Sequence, residues 1–519
     1  MCPRIGQTSA AREPPAAPRA LPIWVGVLVA GLALYGLTAN RGAQWQDSGW
    51  QQLRIVRGEL EHPYGWALAH PLQHYLGRAA IYGLPIEPAF AITLVSAVAA
   101  AIAVANLAAL LLLITRRRDA ALIASTALAL SHTFWQNATY TESYALVAAL
   151  LTGEWLCLAY FVIRGSRRAL LLGALLNGLG IANHLLAGLA TLVDAGFLAW
   201  TLRKRLIIPR IAIACAACWL VGACPYLVPV LRALIQSGDA SGTIHSALFG
   251  NYAGQVLNAS VTPRMLVLAV GYVLYNFPGL TVFLAGCGLF MKSATTRSLR
   301  VVWTIQLLLF SVFVIRYSIA DLYTYFFPIY TLLCMFAGLG LARILGSWNP
   351  RQARVIMVLA AITAIWTPIV YLVTSHVLES RGLLKKMVRN KPYRDGYRAF
   401  FLPWGCANDA GERVNRAVAA AAGEDGVVLV ADHMIGFGIR YAQAVQELPA
   451  SVQVLDIARE ADAAQVSRWK ARLAGFLLEN RPVVLVPRDR DRPETCVRAA
   501  RWRRVGDLYL LTTLESDDE

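Results

Sequence analysis

LPIWVGVLVAGLALYGLTANRGAQWQDSG, residues 21–49, runs from an uncharged apolar span into a short polar loop and ends on a carboxylate, Asp47, with Ser48 and Gly49 behind it. A bilayer core about 30 Å thick takes roughly 20 apolar residues per helix, and residues 22–39 meet that need. Working outward, similar windows lie near 88–115, 120–136, 144–163, 169–183, 184–202, 207–231, 264–291, 300–316, 324–344 and 354–375, about eleven in all. Hydrophobic residues make up 57% of the chain and charged residues 15%, with a mean hydropathy of +0.50. This is the composition of a mainly α, polytopic transmembrane helical bundle, because only helices satisfy the backbone of many apolar spans in lipid.

Basic residues set the expected orientation, since short Lys/Arg-rich loops stay on the cytoplasmic side. Arg116 to Arg118, Arg164 to Arg168, Arg203 to Arg205, Lys292 to Arg300 and Arg351 to Arg354 fall on one face if the spans alternate. The reading is a multi-pass protein of the plasma (inner) membrane with a cytoplasmic N-terminus. Residues 1–20, rich in Arg, Pro and Ala, read as a disordered cytoplasmic tail before a signal-anchor helix. The formal charge of +17 is then accounted for by topology and anionic lipid headgroups. No nucleic-acid recognition motif accompanies it, which excludes nucleic acid as a partner.

The same alternation places the first outer loop, residues 40–87, the turn at 131–143, the loop 236–263 and everything after His376 outside the cytoplasm. Residues 21–376 form the transmembrane domain and residues 377–519 a soluble extracytoplasmic one. In the latter, β-branched runs at 427–431, 452–455, 483–486 and 508–513 alternate with helical periodicity at 413–422, 436–446 and 463–478. That pattern predicts a small α/β domain with a mainly parallel sheet, which lacks a phosphate-binding glycine loop and serves to cover the membrane site or grip an acceptor. Cys215 and Cys218 sit within an apolar span, where small-residue helix packing explains them better than metal binding. Cys406 and Cys496 both fall in the outer domain, where an oxidising compartment allows a disulfide.

Asp47 has two readings. Asp is a favoured helix N-cap, and Trp50, Leu53 and Val56 would share one face of an interfacial helix beginning there. Alternatively, a carboxylate at the membrane surface takes the proton of an acceptor hydroxyl while nearby cations neutralise a leaving phosphate. Arg54, Arg57, His62, His70, His74 and Arg78 supply such cations in the same loop, although snorkelling toward headgroups suits the arginines as well. Glu142 at the start of a span and His184 at an outer turn are polar groups at costly depths, either functional or structurally paired. Arg316 and Asp321 flank another outer loop and would also serve as a salt bridge fixing it. Glu154 and Asp194 lie deeper, where helix–helix hydrogen bonding is expected.

Taken in order, Asp47-Ser48-Gly49, the His-Pro pairs at 62–63 and 70–71 before Leu76-Gly77-Arg78, Thr133-Phe134-Trp135 with Glu142-Ser143-Tyr144, and Gly178-Leu179-Gly180-Ile181-Ala182-Asn183-His184 resemble the protein O-mannosyltransferase-like group of GT-C membrane glycosyltransferases. The segment 317–328 is similar to that family's tyrosine, aspartate and proline segment, and 427–443 resembles its soluble-domain strand and helix. The resemblance implies a GT-C-like bundle with a large first outer loop. It also implies transfer of a sugar, with mannose the candidate, from a polyprenyl-phosphate donor on the extracytoplasmic side. The family's first-loop catalytic aspartate carries over to Asp47. Trp50 stands where the family has an acidic residue, and the family's His-Pro-Pro-Gly-Tyr is split between 62–65 and 70–71, which leaves the acceptor open among protein Ser/Thr, lipid and glycan.

A polyprenyl chain stays in lipid while its phosphate reaches the surface, so the donor needs an interhelical groove and cations at headgroup level. Arg54, His62, His70, Arg78, Glu142, His184, Arg316 and Asp321 are the candidate residues for donor phosphate or substrate binding. No tightly bound metal or other cofactor is expected, with a divalent cation left open. A transporter or flippase for a lipid-linked sugar would share the polar cavity. However, no internal repeat or matched pair of interrupted helices is visible, and a roughly 140-residue outer domain is unusual in a carrier.

Overall fold

The computed structural model describes residues 20–290, 296–319, 321–385, 388, 390–457, 463–489, 497 and 500–514. Of the expected tail at 1–20, residues 1–19 lie outside the described residues and Ala20 opens the first helix; Lys292 of the fourth basic cluster, Ala320 and Cys496 also lie outside them, while Cys406 is exposed.

Each apolar window falls on helix. Eight of the described helices are long and apolar enough to cross a membrane alone, and a ninth span arises if Pro263–Asn276 and Thr281–Leu289, bent by 106° at their break, count as one. The expectation of about eleven therefore exceeds what length and hydropathy support among the described residues. The window at 120–136 breaks at Leu130-Ser131 into Arg118–Ala129 and the short helix His132–Thr139, and Arg167–Asn183 ends where Asn183-His184 turns the chain. The chain is nonetheless a polytopic membrane protein.

Helix Pro88–Thr115 runs through the middle of the bundle, its alanines at 97, 100, 101, 103 and 105 almost wholly buried. Small side chains there let Ala20–Thr38 and Tyr144–Arg164 approach closely: a Cβ on Gly31 would sit 3.0 Å from that of Ala101. Helices Arg167–Asn183 and Pro209–Ser237 cross more tightly still, since a Cβ on Gly178 would meet the Trp219 carbonyl oxygen at 2.1 Å. This small-residue contact lies on the same helix as Cys215 and Cys218. Exposed Ile213, Val221, Leu231, Ile365 and Trp366 form part of the apolar exterior that lipid covers. Inside, Asn177 Nδ2 donates to Glu154 Oε2 (2.7 Å) and Asp194 Oδ2 (3.2 Å), so these two acids do join helices.

The C-terminal sheet contains β1 (Val427–Val430), β2 (Gln453–Asp456), β3 (Val483–Val486), β4 (Ala500–Val505) and β5 (Leu508–Leu514), in the order β2-β1-β3-β5-β4. β1 is parallel to β2 and β3, but β5 runs antiparallel to β3 and β4. The sheet is thus mixed, where a mainly parallel one was expected. The missed element is β4, whose Arg501, Arg503 and Arg504 hide a strand in a basic stretch; charged edge strands discourage unwanted pairing. Helices Ala410–Ala422 and His433–Ala444 cover one face, and Trp469, Leu473 and Phe476 of Ala463–Leu478 cover the other.

Candidate active site

Helix Gln46–Arg57 begins at an N-cap occupied by Trp45, which places Asp47 in the first turn rather than at the cap. Nor does the helix lie open at an interface. Gln51, Gln52, Leu53, Arg54 and Ile55 are buried, and helix His433–Ala444 of the C-terminal domain packs directly on it. Trp50 stacks on Phe437 with ring centroids 4.7 Å apart and also touches His62 at 4.1 Å. The apolar face that resembled a membrane-surface stripe therefore serves a domain interface.

Gln44 fixes this loop to the bundle. Its Nε2 donates to Thr93 Oγ1 at 2.8 Å, its Oε1 accepts from the Thr141 backbone N–H at 2.9 Å, and its own N–H donates to Gln52 Oε1 at 2.9 Å. The next residue, Glu142, is held by Ser96, which exchanges hydrogen bonds with the Glu142 backbone on both sides. Ser48 Oγ then donates to Glu142 Oε1 at 2.6 Å. Gly49 is sterically required, because a Cβ there would stand 2.1 Å from the Gln44 carbonyl oxygen.

These contacts gather Asp47, Arg54, His62, His70, Glu142, His184 and Asp321 around one cavity of about 510 Å³. Asp47 opens to its interior, yet the surrounding wall strips enough solvent to push its pKa up. Burial first, then the Asp47 charge, raises Glu142 to about 8, against the opposing Ser48 hydrogen bond. Burial and Asp47 likewise raise Asp321 to about 6. The three carboxylates thus feel one another, which spacing along the chain did not reveal. Among the described residues, no group of three or more His, Cys, Asp or Glu side chains converges as a metal site.

The histidines are neutral. Burial, with Arg54 nearby, lowers His62 to about 3 and His70 to about 4. His70 Nδ1 lies 2.7 Å from the Asn183 carbonyl oxygen, which can only accept, so Nδ1 carries the proton and Nε2 is left as an acceptor. His184, stacked on His70 at 4.9 Å, accepts the Leu186 N–H at Nδ1, so its Nε2 carries the proton. The pair presents one acceptor and one donor. His70 also has a left-handed backbone, φ 48°, as does Gln46 at φ 57°. Such conformations in non-glycine residues gather at functional sites.

Arg54 is 3% exposed; burial lowers its pKa to about 10. Its Nη2 donates to the carbonyls of Leu60 and Ala69, while its Nε is buried without a hydrogen-bond partner. Of the expected residues, Arg57, His74, Arg78 and Arg316 do not line the cavity. Arg78 Nη1 donates to the carbonyls of Ile55 (3.1 Å) and Val56 (2.9 Å), satisfying the exposed end of helix Gln46–Arg57. Arg316 Nη1 donates to Val256 O (2.8 Å) and Asn258 O (2.6 Å), fixing the loop before Pro263, and among the described residues it makes no salt bridge with Asp321. Sequence reasoning also missed Tyr140, Tyr323 and Tyr325, as well as Arg394, which reaches the cavity from the C-terminal domain. Aromatic density in 317–327 was the available signal for the tyrosines; nothing local marked Arg394.

Residues 47–206 match the family described as protein O-mannosyl-transferase TMEM260 N-terminal domain, a match covering under a third of the chain. No curated protein matches the chain. Among solved structures, ArnT from Cupriavidus metallidurans bound to undecaprenyl phosphate superposes with a TM-score of 0.59 at 13% identity, covering 94% of this chain and 97% of ArnT. The arabinofuranosyltransferase AftD from Mycobacteria gives 0.50 at 14% identity, covering 96% of this chain but 40% of AftD. The chain therefore has the GT-C fold of ArnT, and residues 47–206 resemble the N-terminal domain of a protein O-mannosyl-transferase.

Proposed function

We propose that this protein is a membrane glycosyltransferase that moves a sugar from a polyprenyl-phosphate donor to an acceptor hydroxyl on the extracytoplasmic side, with Asp47 as the catalytic base. The observation that carries this reading is the joint placement of the Asp47 carboxylate and the buried Arg54 cation in one polar cavity at the end of a lipid-facing bundle. The GT-C fold and the undecaprenyl phosphate bound to ArnT support a polyprenyl-linked donor here.

In the proposed step, Asp47 takes the acceptor O–H proton as the oxygen forms a bond to the anomeric carbon. The bond from that carbon to the phosphate oxygen breaks with inversion, and its electron pair remains on the phosphate. A raised Asp47 pKa makes the carboxylate a stronger base. Glu142, uncharged below about 8, donates or accepts a hydrogen bond without adding a full negative charge beside the phosphate. The neutral His70–His184 pair offers sugar hydroxyls one acceptor and one donor. The match over residues 47–206 makes a mannosyl donor and a protein hydroxyl the first pair to try, with lipid and glycan acceptors as the alternatives.

Incubation with defined polyprenyl-phosphate sugars and candidate acceptors, read by mass spectrometry, tests the reading. Asp47→Asn should lower transfer by about 10²- to 10⁴-fold with normal expression and insertion. Full activity in that variant would remove Asp47 from the chemistry.

A further inference from the structure

We infer that Arg394, from the C-terminal domain, is a phosphate-binding residue of the cavity, so that the donor site is completed only when this domain is seated on the bundle. The assignment rests on the donor class proposed above. Arg394 lines the cavity that holds Asp47, and a bridge between Lys391 and Arg394 shapes the turn that carries it. Its guanidinium lies over the Trp45 ring, 5.2 Å from the centroid, at the residue that caps the Asp47 helix.

What marks Arg394 is its lack of a counter-charge. Among the described residues its side chain makes no hydrogen bond and no ion pair, and its Nε is buried. Asp432, the acid that acts on it electrostatically, is already paired with Lys391 at 2.7 Å. The aromatic face of Trp45 attracts the cation but accepts none of its five N–H donors in the manner of an oxygen. Arg394 is half-buried, and its Nε, kept from water without an acceptor, lacks a hydrogen bond that an incoming oxyanion supplies. Arg54, whose Nε is also buried and unpartnered, lines the same cavity. The cavity thus has a guanidinium with a donor to spare on its first-loop wall and another on its outer-domain wall, the groups that recognise a tetrahedral oxyanion. A phosphate could come from the lipid carrier or from an acidic group on the acceptor; the chemistry is shared, and binding separates the sources.

The test is binding of undecaprenyl phosphate and of uncharged undecaprenol to the full-length protein in nanodiscs, with no acceptor present. Arg394→Gln should weaken undecaprenyl phosphate by roughly 10- to 100-fold and leave undecaprenol unchanged, and Arg394→Lys should recover part of the loss. Equal binding of undecaprenyl phosphate by wild type and Arg394→Gln would overturn the assignment of Arg394 to the carrier phosphate while leaving the proposed transferase intact. Wild-type protein that binds undecaprenyl phosphate no better than undecaprenol would overturn both. Should Arg394→Gln fail to fold, Arg394→Lys alone decides, since a purely structural role predicts no selective loss against the phosphate.

Discussion

At the scale of single residues, the cavity is governed by carboxyl groups whose protonation the surroundings control. Glu142 holds its proton up to about pH 8 in the folded protein, against an ordinary value of 4.5. The folded state therefore binds more protons than the unfolded state between those values. Its contribution to stability is complete below the unfolded value and is lost as pH rises through about 8. Thermal unfolding in detergent should accordingly show a dependence of stability on pH between 5 and 8 that is less favourable in the wild type than in Glu142→Gln, the neutral histidines contributing the opposite slope below about 6.5 to both proteins alike. An unchanged slope would mean that Glu142 does not hold its proton. Asp47 acts in the opposite sense on activity: as the base it must be ionised, so transfer should fall on the acid side at a pH above the ordinary aspartate value. Gly49 shows how a residue can be read for the wrong reason. In sequence it belongs to a resemblance; in three dimensions it is the only side chain that clears the Gln44 carbonyl.

At the scale of elements, the first loop depends on Gln44, an internal tether joining it to helix Pro88–Thr115 and to the Thr141-Glu142 turn. Gln44→Ala would leave the Thr141 N–H without its acceptor in a buried setting, at a cost of about 1–3 kcal/mol. The expected outcome is a lower unfolding temperature together with reduced kcat/KM, since Glu142 follows directly; an effect on neither would deny the tether its role. Gln44 escaped the sequence reading because a glutamine in a loop has no periodicity, and its partners lie 49 and 97 residues away. Asp47, Glu142, His184 and Asp321 were legible because acids and imidazoles beside apolar spans stand out against lipid. Arg78 and Arg316 stood out for the same reason, yet their donors go to backbone carbonyls, a fate that charge alone does not disclose. The interfacial appearance of Gln46–Arg57 misled similarly, because an amphipathic stripe suits a domain interface as well as a membrane surface.

At the scale of the whole molecule, the site and the basic clusters occupy opposite ends of the same helices. Tyr144–Arg164 leaves the cavity at Tyr144 and ends on Arg164; Arg167–Asn183 returns from Arg167 to the Asn183-His184 turn; Arg297–Arg316 rises from Arg297 and Arg300 toward Tyr317. Helix Pro350–Ser380 begins beside Arg351 and Arg354 and leads into the C-terminal domain. Retention of positive charge in the cytoplasm would put the cavity and that domain on the far side together, because these helices run between a basic cluster and the site. A phosphatase reporter fused after Glu519 should be active outside the cytoplasm. A single cysteine introduced at Lys204, in a protein whose accessible cysteines have been replaced, should resist impermeant thiol reagents in intact cells. Labelling at 204 with a silent reporter would turn the molecule over in the membrane and move the proposed chemistry, with its carrier-lipid phosphate, to the cytoplasmic face.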